Sequence, residues 1–573
     1  MKIALVAIDA QYFHTNLAVR SIAAYTQKQA GIAPQILEFT INQRAELLLE
    51  KIYKAKPDAI VFSCYIWNIE MVCALAAELQ KLLPNTFLAA GGPQVSYHCE
   101  EFLRGNPAFT AVLAGEGETS TLALFKALQK GDGLAKVPGL VLRQGGKIIT
   151  TPKPMPLPLD EIPFAYSETD LAAGRILYYE SMRGCPFGCS YCLSSVERGV
   201  RFKTPALVYQ DLARFLAAAP KQVKFVDRTF NCNKAHAMGI WQFLKENDNG
   251  VTNFHFELAG ELLDDETIAF LGTVRPGLFQ FEIGVQSTNT KTLAEIDRPA
   301  NLQQLFANIA KLQQPQNIHL HLDLIAGLPY EGFDSFVQSF NTVYGMVPNQ
   351  FQLGFLKVLA GSGMEQNAQK YGLVWQNAAP FEVLYTKWLN FDELLVLKWV
   401  AQMVEVYYNS GRFAHLVRYL CGQFASPFVF YNKLAQFYLA SGADNAPLSK
   451  VGYYQLLGNF MQNQGLPLTE KAQWLCRLDL ALHEKTKALP AFVTVDETRA
   501  RREEILAFYQ KEENLQTYLP EYAAYPPKQI LKMAHIEVLP FNPVTGEENP
   551  CALLFNYKQR DIEGRAKMWE IEL

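Results

Sequence analysis

Three of the ten cysteines in the chain lie within eight residues of one another. Cys185, Cys189 and Cys192 form a C-x3-C-x2-C run inside the stretch RGCPFGCSYCLSS. An odd number of thiols leaves one unpaired in a disulfide framework, and a structural zinc site needs a fourth cysteine or histidine close by. The nearest histidines, His98 and His236, are distant in the sequence. Three thiolates instead suit an iron–sulfur cluster in which one iron stays open to another ligand.

The cysteine run directly follows a strand-like stretch, ILYYESM at 176–182, so it lies on the loop after a strand. Five further stretches of strand character follow it, each separated from the next by a helical pattern. They are 223–227, 253–260, 278–287, 319–327 and 351–359. Six successive strand–helix units predict a partial (β/α)6, TIM-like barrel over residues 173–380. In such barrels the working residues lie at the carboxyl ends of the strands.

Strand and helix patterns also alternate before the cysteines, over residues 1–135. Continuous apolar strands such as KIALVAI and AIVFSC alternate with amphipathic helices, which is typical of a parallel sheet covered on both faces. We therefore predict a flavodoxin-like (Rossmann-like) parallel sheet, whose ligands bind at the carboxyl ends of the strands. The fold class overall is α/β.

Two further segments complete the predicted organisation. Residues 136–172 are rich in proline and glycine and predict a linker with a small hairpin around Gly145 and Gly146. Long helical patterns dominate residues 381–573 and predict a mostly α-helical C-terminal domain, with helices at 391–410, 429–441 and 498–509 and a hairpin at 536–558.

The cysteine run and its place after a strand resemble the signature of the radical SAM superfamily, C-x3-C-x-aromatic-C on the loop after the first barrel strand. The resemblance implies that Cys185, Cys189 and Cys192 bind a [4Fe-4S] cluster. The fourth iron would chelate the amino and carboxylate groups of S-adenosylmethionine (SAM). An electron from the cluster would then cleave the sulfonium and yield a 5′-deoxyadenosyl radical. Tyr191, the aromatic residue of the signature, is implied to lie near the adenine.

Later strands carry further parts of the same resemblance. The segments GVQS and AEIDRP resemble those that meet the ribose and the SAM carboxylate, which implies SAM contacts for Gln286, Ser287 and Arg298. Glu257, on the third strand, is a further implied SAM contact. Asp227, in VDRTFN, lies where the superfamily places a loop that meets the methionine amino group, but the common Gly-Gly-Glu form of that loop is absent.

Three polar residues alternate along one predicted strand. The three are His319, His321 and Asp323, each two residues after the one before, so their side chains share a face. Two interpretations remain open: a metal-binding triad, or polar residues that line the inside of a barrel.

Glycine-rich segments end several strands of the N-terminal sheet. The motifs SCYIWNIE, GGPQVS and GEGE resemble those of the cobalamin-binding domain found ahead of many radical SAM enzymes. Their glycines let the backbone approach a large flat ligand. The chain departs from the cobalt-ligating signature D-x-H-x-x-G, since its first loop reads DAQYFHTN. The implied cobalamin contacts are His14, Ser63, Trp67, Asn68, Gly91, Gly92, Gly115 and Glu116. A flavodoxin-like sheet that binds another ligand, or none, is the alternative.

Composition bounds the partners and the compartment. The net charge of −4 argues against a nucleic-acid partner, and no apolar run reaches the roughly 18 residues of a spanning helix. The N-terminal stretch MKIALVAIDAQYF predicts a buried strand rather than a signal peptide, because Asp9 interrupts its apolar run. The seven other cysteines are scattered and are interpreted as reduced thiols. We therefore expect a cytoplasmic protein without a membrane partner.

Together the resemblances imply a radical SAM enzyme that methylates an unactivated carbon with cobalamin as methyl donor. The segment 386–413 resembles a C-terminal extension of unassigned function found in one subgroup of such proteins. The substrate is expected to be a small molecule or peptide, and the cluster needs a low-potential electron donor such as flavodoxin or ferredoxin. Three alternatives remain open: a cobalamin-associated radical rearrangement without methyl transfer, an RNA methylthiotransferase-like modification, and a non-catalytic cobalamin or redox sensor.

Overall fold

A computed structural model describes residues 1–196, 199–298, 300–485, 488–543 and 549–573. The chain forms two compact units. The first contains Met1–Phe333 and Gly354–Phe391, and the second contains Asp334–Leu353 and Asp392–Leu573. No helix in the described ranges is both long and apolar enough to cross a membrane.

Seven strands form the first sheet of the first unit. They are β1 (Ile3–Asp9), β2 (Gln35–Thr40), β3 (Ala59–Ser63), β4 (Phe87–Gly91), β5 (Ala111–Leu113), β6 (Leu140–Gln144) and β7 (Lys147–Thr150). The helices among them are α1 (Leu17–Ala30), α2 (Ala45–Ala55), α3 (Ile69–Leu82), α4 (Cys99–Gly105) and α5 (Gly117–Lys130). The strand order is β2-β1-β3-β4-β5-β6-β7. The pairings from β2 to β5 are parallel, and the last two are antiparallel.

The first sheet is apolar on both faces. Every residue of β1, IALVAID, is buried, as expected for a strand with helices above and below. One core includes Val6 and Phe62, and the other includes Leu5 and Phe125. The predicted hairpin at Gly145–Gly146 is formed by β6 and β7, so part of the predicted linker extends this sheet.

The second sheet of the first unit carries the cysteine run. Its elements in chain order are α6 (Glu168–Ala172), β8 (Leu177–Tyr179), β9 (Met182–Cys185), β10 (Gly199–Phe202), α7 (Pro205–Ala218), β11 (Gln222–Phe225), α8 (Lys234–Glu246), β12 (Asn253–Leu258), α9 (Asp265–Leu271), β13 (Phe279–Gln286), α10 (Thr290–Glu295), α11 (Leu302–Gln313) and β14 (His319–Ala326). Within this unit the strand order is β8-β11-β12-β13-β14, and these pairings are parallel. The antiparallel pair β9–β10 is inserted between β8 and β11. The unit ends with α13 (Gly363–Gln366), α14 (Ala368–Tyr371), β16 (Val374–Trp375) and β17 (Val383–Tyr385).

The two faces of the second sheet differ in polarity. Residues of β13 alternate between fully and partly buried, because successive side chains point to opposite faces. On the apolar face, Phe256, Phe279 and Phe281 pack in one aromatic cluster with Trp241 of α8. We call the opposite side the polar face. It contains Lys224, His255, Glu257, Gln280, Glu282, His319, His321 and Asp323, which the parallel register sets in rows across the strands.

The second unit is mainly helical. It contains most of α12 (Phe333–Gly345) and most of β15 (Gln350–Phe355). Its other elements are α15 (Phe391–Val404), a π-helical turn at Glu405–Asn409, α16 (Ala414–Cys421), α17 (Pro427–Ala440), α18 (Lys450–Asn463), α19 (Glu470–His483), α20 (Arg502–Gln510), α21 (Glu512–Tyr518), α22 (Pro527–Met533), β18 (His535–Leu539), β19 (Cys551–Arg560) and β20 (Ala566–Ile571).

The predicted elements of this unit are present with shifted ends. The helix expected at 391–410 is α-helical only to Val404, and the one expected at 498–509 begins at Arg502. The predicted hairpin at 536–558 corresponds to β18 and β19, to which β20 adds a third antiparallel strand. The extra strand was missed because its residues, AKMWEI, include only a short apolar run.

Gly92 is constrained by its neighbours as well as by its backbone. Its φ is +111°, and a β-carbon at this position would lie 2.6 Å from the Cys64 carbonyl oxygen. We expect Gly92→Ala to lower the free energy of unfolding by more than about 2 kcal/mol. The measurement is the midpoint of urea unfolding. Gly31→Ala is the matched control, because Gly31 also has a positive φ but open space around it. Equal losses in the two variants would contradict the assigned clash.

Candidate functional site

The cysteine run lies in the loop of the β9–β10 hairpin. Cys185 is the last residue of β9 and pairs with Gly199. Gly184 has a φ of +100°, and a β-carbon there would overlap the Gly199 carbonyl oxygen. Further along the loop, the Ser195 hydroxyl donates to the carbonyl oxygens of Cys189, at 2.8 Å, and Cys192, at 2.6 Å. The close strand contact and these hydrogen bonds fix the backbone that carries the three thiols.

The surroundings of the thiols suit a thiolate-bound centre. All ten cysteines are free. The Thr229 hydroxyl lies 3.4 Å from Cys185 Sγ, and Arg298 Nη1 donates to Cys189 Sγ at 3.8 Å. Burial raises the pKa of the Cys189 thiol, and the Arg298 guanidinium opposes that rise. The Tyr191 phenol also contacts Cys189, and burial raises the pKa of Tyr191 above its usual value.

The spacing of the thiols differs from that of a single-ion site. Ligand atoms around one tetrahedral zinc ion bound through sulfur lie about 3.8 Å apart. Within the described ranges, one set of three candidate ligand groups has its atoms within 4.8 Å of one another, and it does not include the cysteines. Three thiolates are the donor set of an iron–sulfur cluster that keeps one iron open to another ligand.

Asp227 holds the segment that leads into the cysteine loop. It is fully buried. Its Oδ1 accepts the backbone N–H groups of Ser181, at 3.0 Å, and Met182, at 3.1 Å, and its Oδ2 accepts the Ser181 hydroxyl at 2.5 Å. Burial raises the pKa of Asp227 to about 8. The structure thus assigns Asp227 to backbone support beside the loop.

Arg183 joins the cysteine hairpin to the first sheet. Its Nη1 lies 3.0 Å from Glu116 Oε2, and its Nη2 lies 2.9 Å from Glu118 Oε1 and 2.7 Å from Glu180 Oε2. Glu116 also pairs with Arg201 of β10. Burial raises the pKa of Glu118, but the Arg183 guanidinium outweighs this and holds it below its usual value. The motif GEGE, predicted as a cobalamin contact through Glu116, therefore also anchors the cysteine hairpin.

Two of the predicted SAM-contacting side chains converge beside the cysteines. Arg298 Nη2 donates to the Gly284 carbonyl oxygen at 2.7 Å, while its Nη1 faces Cys189. The side chain of Gln286 lies directly over Gly284, where any β-carbon would overlap it. Gln286 Oε1 is buried and has no hydrogen-bond partner among the described residues. An orphaned acceptor next to a guanidinium fits a site for a polar ligand.

Two other predicted SAM contacts have protein partners. Ser287 is fully buried, donates to Glu331 Oε1 at 2.7 Å and accepts the Asn289 N–H at 2.9 Å. Glu257 pairs with Arg228, whose Nη1 lies 3.0 Å from Glu257 Oε1. Burial raises the pKa of Glu257, and Arg228 opposes that rise. Ser287 is therefore held inside the protein by its own partners, and Glu257 lies on the polar face.

The predicted cobalamin contacts lie at the carboxyl edge of the first sheet. Asn68 is fully buried: its Nδ2 donates to Ile8 O and Ser63 O, both at 2.9 Å, and its Oδ1 accepts the Tyr65 N–H. Asn68 thus shapes the loop after β3. Trp67 is 42% exposed and stacks on Tyr65 at 4.4 Å between ring centroids. An exposed indole that stacks on a partly buried tyrosine ring at a strand edge suits a flat ligand.

The remaining predicted contacts complete this edge. His14 Nδ1 lies 2.5 Å from the Tyr178 hydroxyl, and burial lowers the pKa of His14. Gly91 ends β4, and Gly92 follows it against Cys64. Gly115 has a φ of +82°, and a β-carbon there would meet no described atom within 4 Å, so the backbone is accessible at this point.

The fold and the site define a mixed α/β protein with parallel sheets, a three-cysteine loop and an accessible strand edge in the first sheet. Residues 3–125 match the B12 binding domain, residues 179–343 match the radical SAM superfamily, and residues 369–555 match the protein of unknown function described as DUF4080. The chain therefore carries a B12-binding domain followed by a radical SAM domain and a DUF4080 segment, which confirms the predicted resemblance. These domains also confirm the predicted cofactor set of a [4Fe-4S] cluster, SAM and cobalamin.

Individual relatives agree with these domains. The cobalamin-dependent radical SAM methyltransferase TokK of Streptomyces tokunonensis is 27% identical over 353 residues, which cover 55% of this chain and 48% of that protein. An anaerobic magnesium-protoporphyrin IX monomethyl ester cyclase of Synechocystis sp. is 30% identical over 245 residues, which cover 39% of this chain and 47% of that protein. The chain thus spans about half the length of these curated relatives.

A solved structure extends the likeness of fold. The cobalamin-dependent SAM radical enzyme OxsB, with aqua-cobalamin bound, superimposes with a TM-score of 0.58 at 14% identity and covers 83% of this chain and 80% of OxsB. At this level of identity the match concerns the fold alone.

Sequence reasoning missed several residues that organise the site. Arg183 directly precedes the Gly184–Cys185 pair, and Glu118 ends the GEGE motif, so both lay inside stretches already singled out. Their contact could not be predicted from the sequence, because the two residues are 65 positions apart in the chain. Thr229 carried a weaker signal, as a single hydroxyl in VDRTFN.

Removal of the Arg183 charge should loosen the cysteine hairpin. Arg183→Met leaves Glu118 and Glu180 without their shared guanidinium, and we expect the free energy of local opening of β9–β10 to fall by about 3 kcal/mol. Native-state hydrogen exchange over residues 177–192 measures it. Arg104→Met is the control, because the Arg104–Glu100 pair is exposed and should contribute little. Unchanged exchange in Arg183→Met would contradict the anchoring role.

Asp227 offers a second test at the same hairpin. Asp227→Ala leaves the buried N–H groups of Ser181 and Met182 without an acceptor, so we expect local opening to become easier by about 2 kcal/mol. Asp227→Asn keeps the accepting oxygen, and its amide can donate to the Ser181 hydroxyl, so we expect near-normal exchange. Equal effects of the two variants would show that Asp227 acts through its charge instead.

Proposed function

We propose that the chain catalyses a cobalamin-dependent radical SAM methylation of an unactivated carbon. The observation that carries this proposal is the direct connection of the two cofactor regions: Arg183, two residues before Cys185, pairs with Glu116 and Glu118 at the strand edge of the B12-binding domain. A methyl donor and a radical source must act on the same substrate atom. A rigid connection between their sites supports that shared task.

The residues present fit the groups that the domains imply. Three thiolates would hold the cluster and leave one iron for SAM: those of Cys185, Cys189 and Cys192. Beside Cys189, Arg298 offers a guanidinium, and Gln286 offers an acceptor oxygen without a hydrogen-bond partner among the described residues. When bound, these groups supply hydrogen-atom abstraction and a transferable methyl group. The protein fixes the thiolates and neutralises negative charge near Cys189.

For cobalamin, the proposal rests on the accessible strand edge. Trp67 and Tyr65 present a stacked aromatic surface, and Gly115 leaves the backbone open to a flat ligand. His14 is held by Tyr178 and lies on the first loop. The loops beneath this surface are shaped by four residues, Ser63, Asn68, Gly91 and Gly92. We propose that these residues support the surface and also contact cobalamin.

We further propose the finer architecture that the sequence predicts. The parallel order β2-β1-β3-β4-β5 supports a flavodoxin-like domain over about residues 1–135, with 136–172 as the connection. The parallel order β8-β11-β12-β13-β14 supports a partial barrel over 173–380, with the polar face inside it. The mostly helical domain at 381–573 follows. Radical SAM chemistry needs a reductant, for which we propose flavodoxin or ferredoxin, and the ten free cysteines favour a reducing, cytoplasmic compartment.

A second candidate function is a radical reaction in which cobalamin donates no methyl group. The 30% identity to a cyclase favours it, since that relative is named for ring formation. No feature of the described residues favours RNA modification, and the net charge of −4 argues against it.

Anaerobic reconstitution of the full chain with iron, sulfide, SAM, reductant and cobalamin tests the proposal. We expect cluster and corrin absorbance and formation of 5′-deoxyadenosine. Each of Cys185→Ser, Cys189→Ser and Cys192→Ser should abolish 5′-deoxyadenosine, while Cys73→Ser, a cysteine on α3, should not. With a pool of cell metabolites as substrate, a product heavier by one CH2 supports methylation, and products without that gain support the second candidate. Absence of corrin uptake would exclude the cobalamin part.

A further inference from the structure

A second group of metal-ligand side chains lies on the polar face, apart from the cysteines. Glu282 of β13 and His321 of β14 are paired in register, and Asp323 lies two residues further along β14. One ligand atom from each of the three lies within 4.8 Å of the other two. The sequence suggested His319, His321 and Asp323, but register brings Glu282 into the group in place of His319.

Two atoms of this group are buried and make no hydrogen bond of good geometry within the described residues. His321 Nε2 lies 3.0 Å from Asp323 Oδ1, yet neither atom makes a well-aligned hydrogen bond within the described part of the chain. His321 is only 6% exposed. Buried polar atoms are normally paired. Two carboxylates this close also repel each other unless a cation or a shared proton lies between them.

We propose that Glu282, His321 and Asp323 bind one divalent first-row transition-metal ion, such as Mn²⁺, Fe²⁺ or Zn²⁺. Imidazole and carboxylate ligands suit these ions, whereas thiolates suit the cluster. Ligand atoms 3.0 Å apart, each about 2.1 Å from one ion, subtend an angle of about 90°. That angle fits octahedral rather than tetrahedral coordination.

The surroundings complete such a site. His255 Nε2 lies 3.4 Å from Glu282 Oε2 and can orient that carboxylate from the neighbouring strand. The Glu282 side chain is 31% exposed, which leaves coordination positions open to water or to oxygen atoms of a substrate. Lys224 also lies on the polar face, in the row of His255, and adds positive charge. A protonated His321 between the two carboxylates would neutralise the same charges without a metal, so the experiment must separate these cases.

The test is Mn²⁺ titration of the reconstituted full chain, followed by electron paramagnetic resonance of free Mn²⁺. It needs neither SAM nor cobalamin, so failure of the proposed methylation leaves its outcome unaffected. We expect one Mn²⁺ per chain, displaced by Zn²⁺, and affinity at least about 10-fold weaker in Asp323→Asn and His321→Gln. His319→Gln is the matched control, a histidine of the same strand face outside the triad, and should bind as the native chain does.

A measurement on the native protein tests the proposal even if the variants misfold. Electron spin-echo modulation of the bound Mn²⁺ should detect one histidine nitrogen, which is lost in His321→Gln. Absence of stoichiometric Mn²⁺, absence of a nitrogen coupling in the native chain, or unchanged affinity in Asp323→Asn with normal cluster absorbance would overturn the proposal. Any of these results would leave neutralisation of the two carboxylates by a protonated His321 as the explanation of the cluster.

Discussion

The arrangement of the first unit depends on one buried charge network. The Arg183 guanidinium, with its side chain 20% exposed, contacts carboxylates from the first sheet and from its own strand segment. An unpaired charge at this depth is costly, so the guanidinium and the carboxylates must stay together. Because Arg183 lies two residues before Cys185, the same contacts set the position of the cysteine loop relative to the B12-binding domain. The relative position of the cysteine loop and the B12-binding domain is thus set by electrostatic attraction.

Close backbone contacts further restrict the cysteine loop that the charge network positions. Gly184 admits the opposing strand, Gly284 admits the Gln286 side chain, and Gly92 admits the Cys64 carbonyl. Asp227 satisfies the backbone donors at the start of the hairpin. Each feature removes freedom near the thiols, which suits a site that must hold a cluster and its ligand in one geometry.

The two faces of the second sheet have different roles: one is packed into an apolar core, and the other carries titratable side chains. Aromatic residues fill the apolar face against Trp241, while the polar face gathers titratable side chains in rows set by the parallel register. A buried polar face is expensive unless its groups are paired or bind a ligand. His321 and Asp323, two of the three proposed metal ligands, each have a buried atom without a hydrogen bond in the described part of the chain. The polar face therefore carries the strongest indication of chemistry outside the cysteine loop.

The sequence by itself determined the local features: alternating strands and helices, the hairpin at Gly145–Gly146, and the chemistry of Cys185, Cys189 and Cys192. These follow from periodicity and from spacing within a few residues, which need no knowledge of distant neighbours. The tertiary structure decided which distant residues meet. It paired Arg183 with Glu118, gave Ser287 and Asn68 buried protein partners, and replaced His319 by Glu282 beside His321. Strand order, strand register and the packing of the cysteine hairpin against α5 set these contacts, and none of them is encoded in the pattern of a single segment.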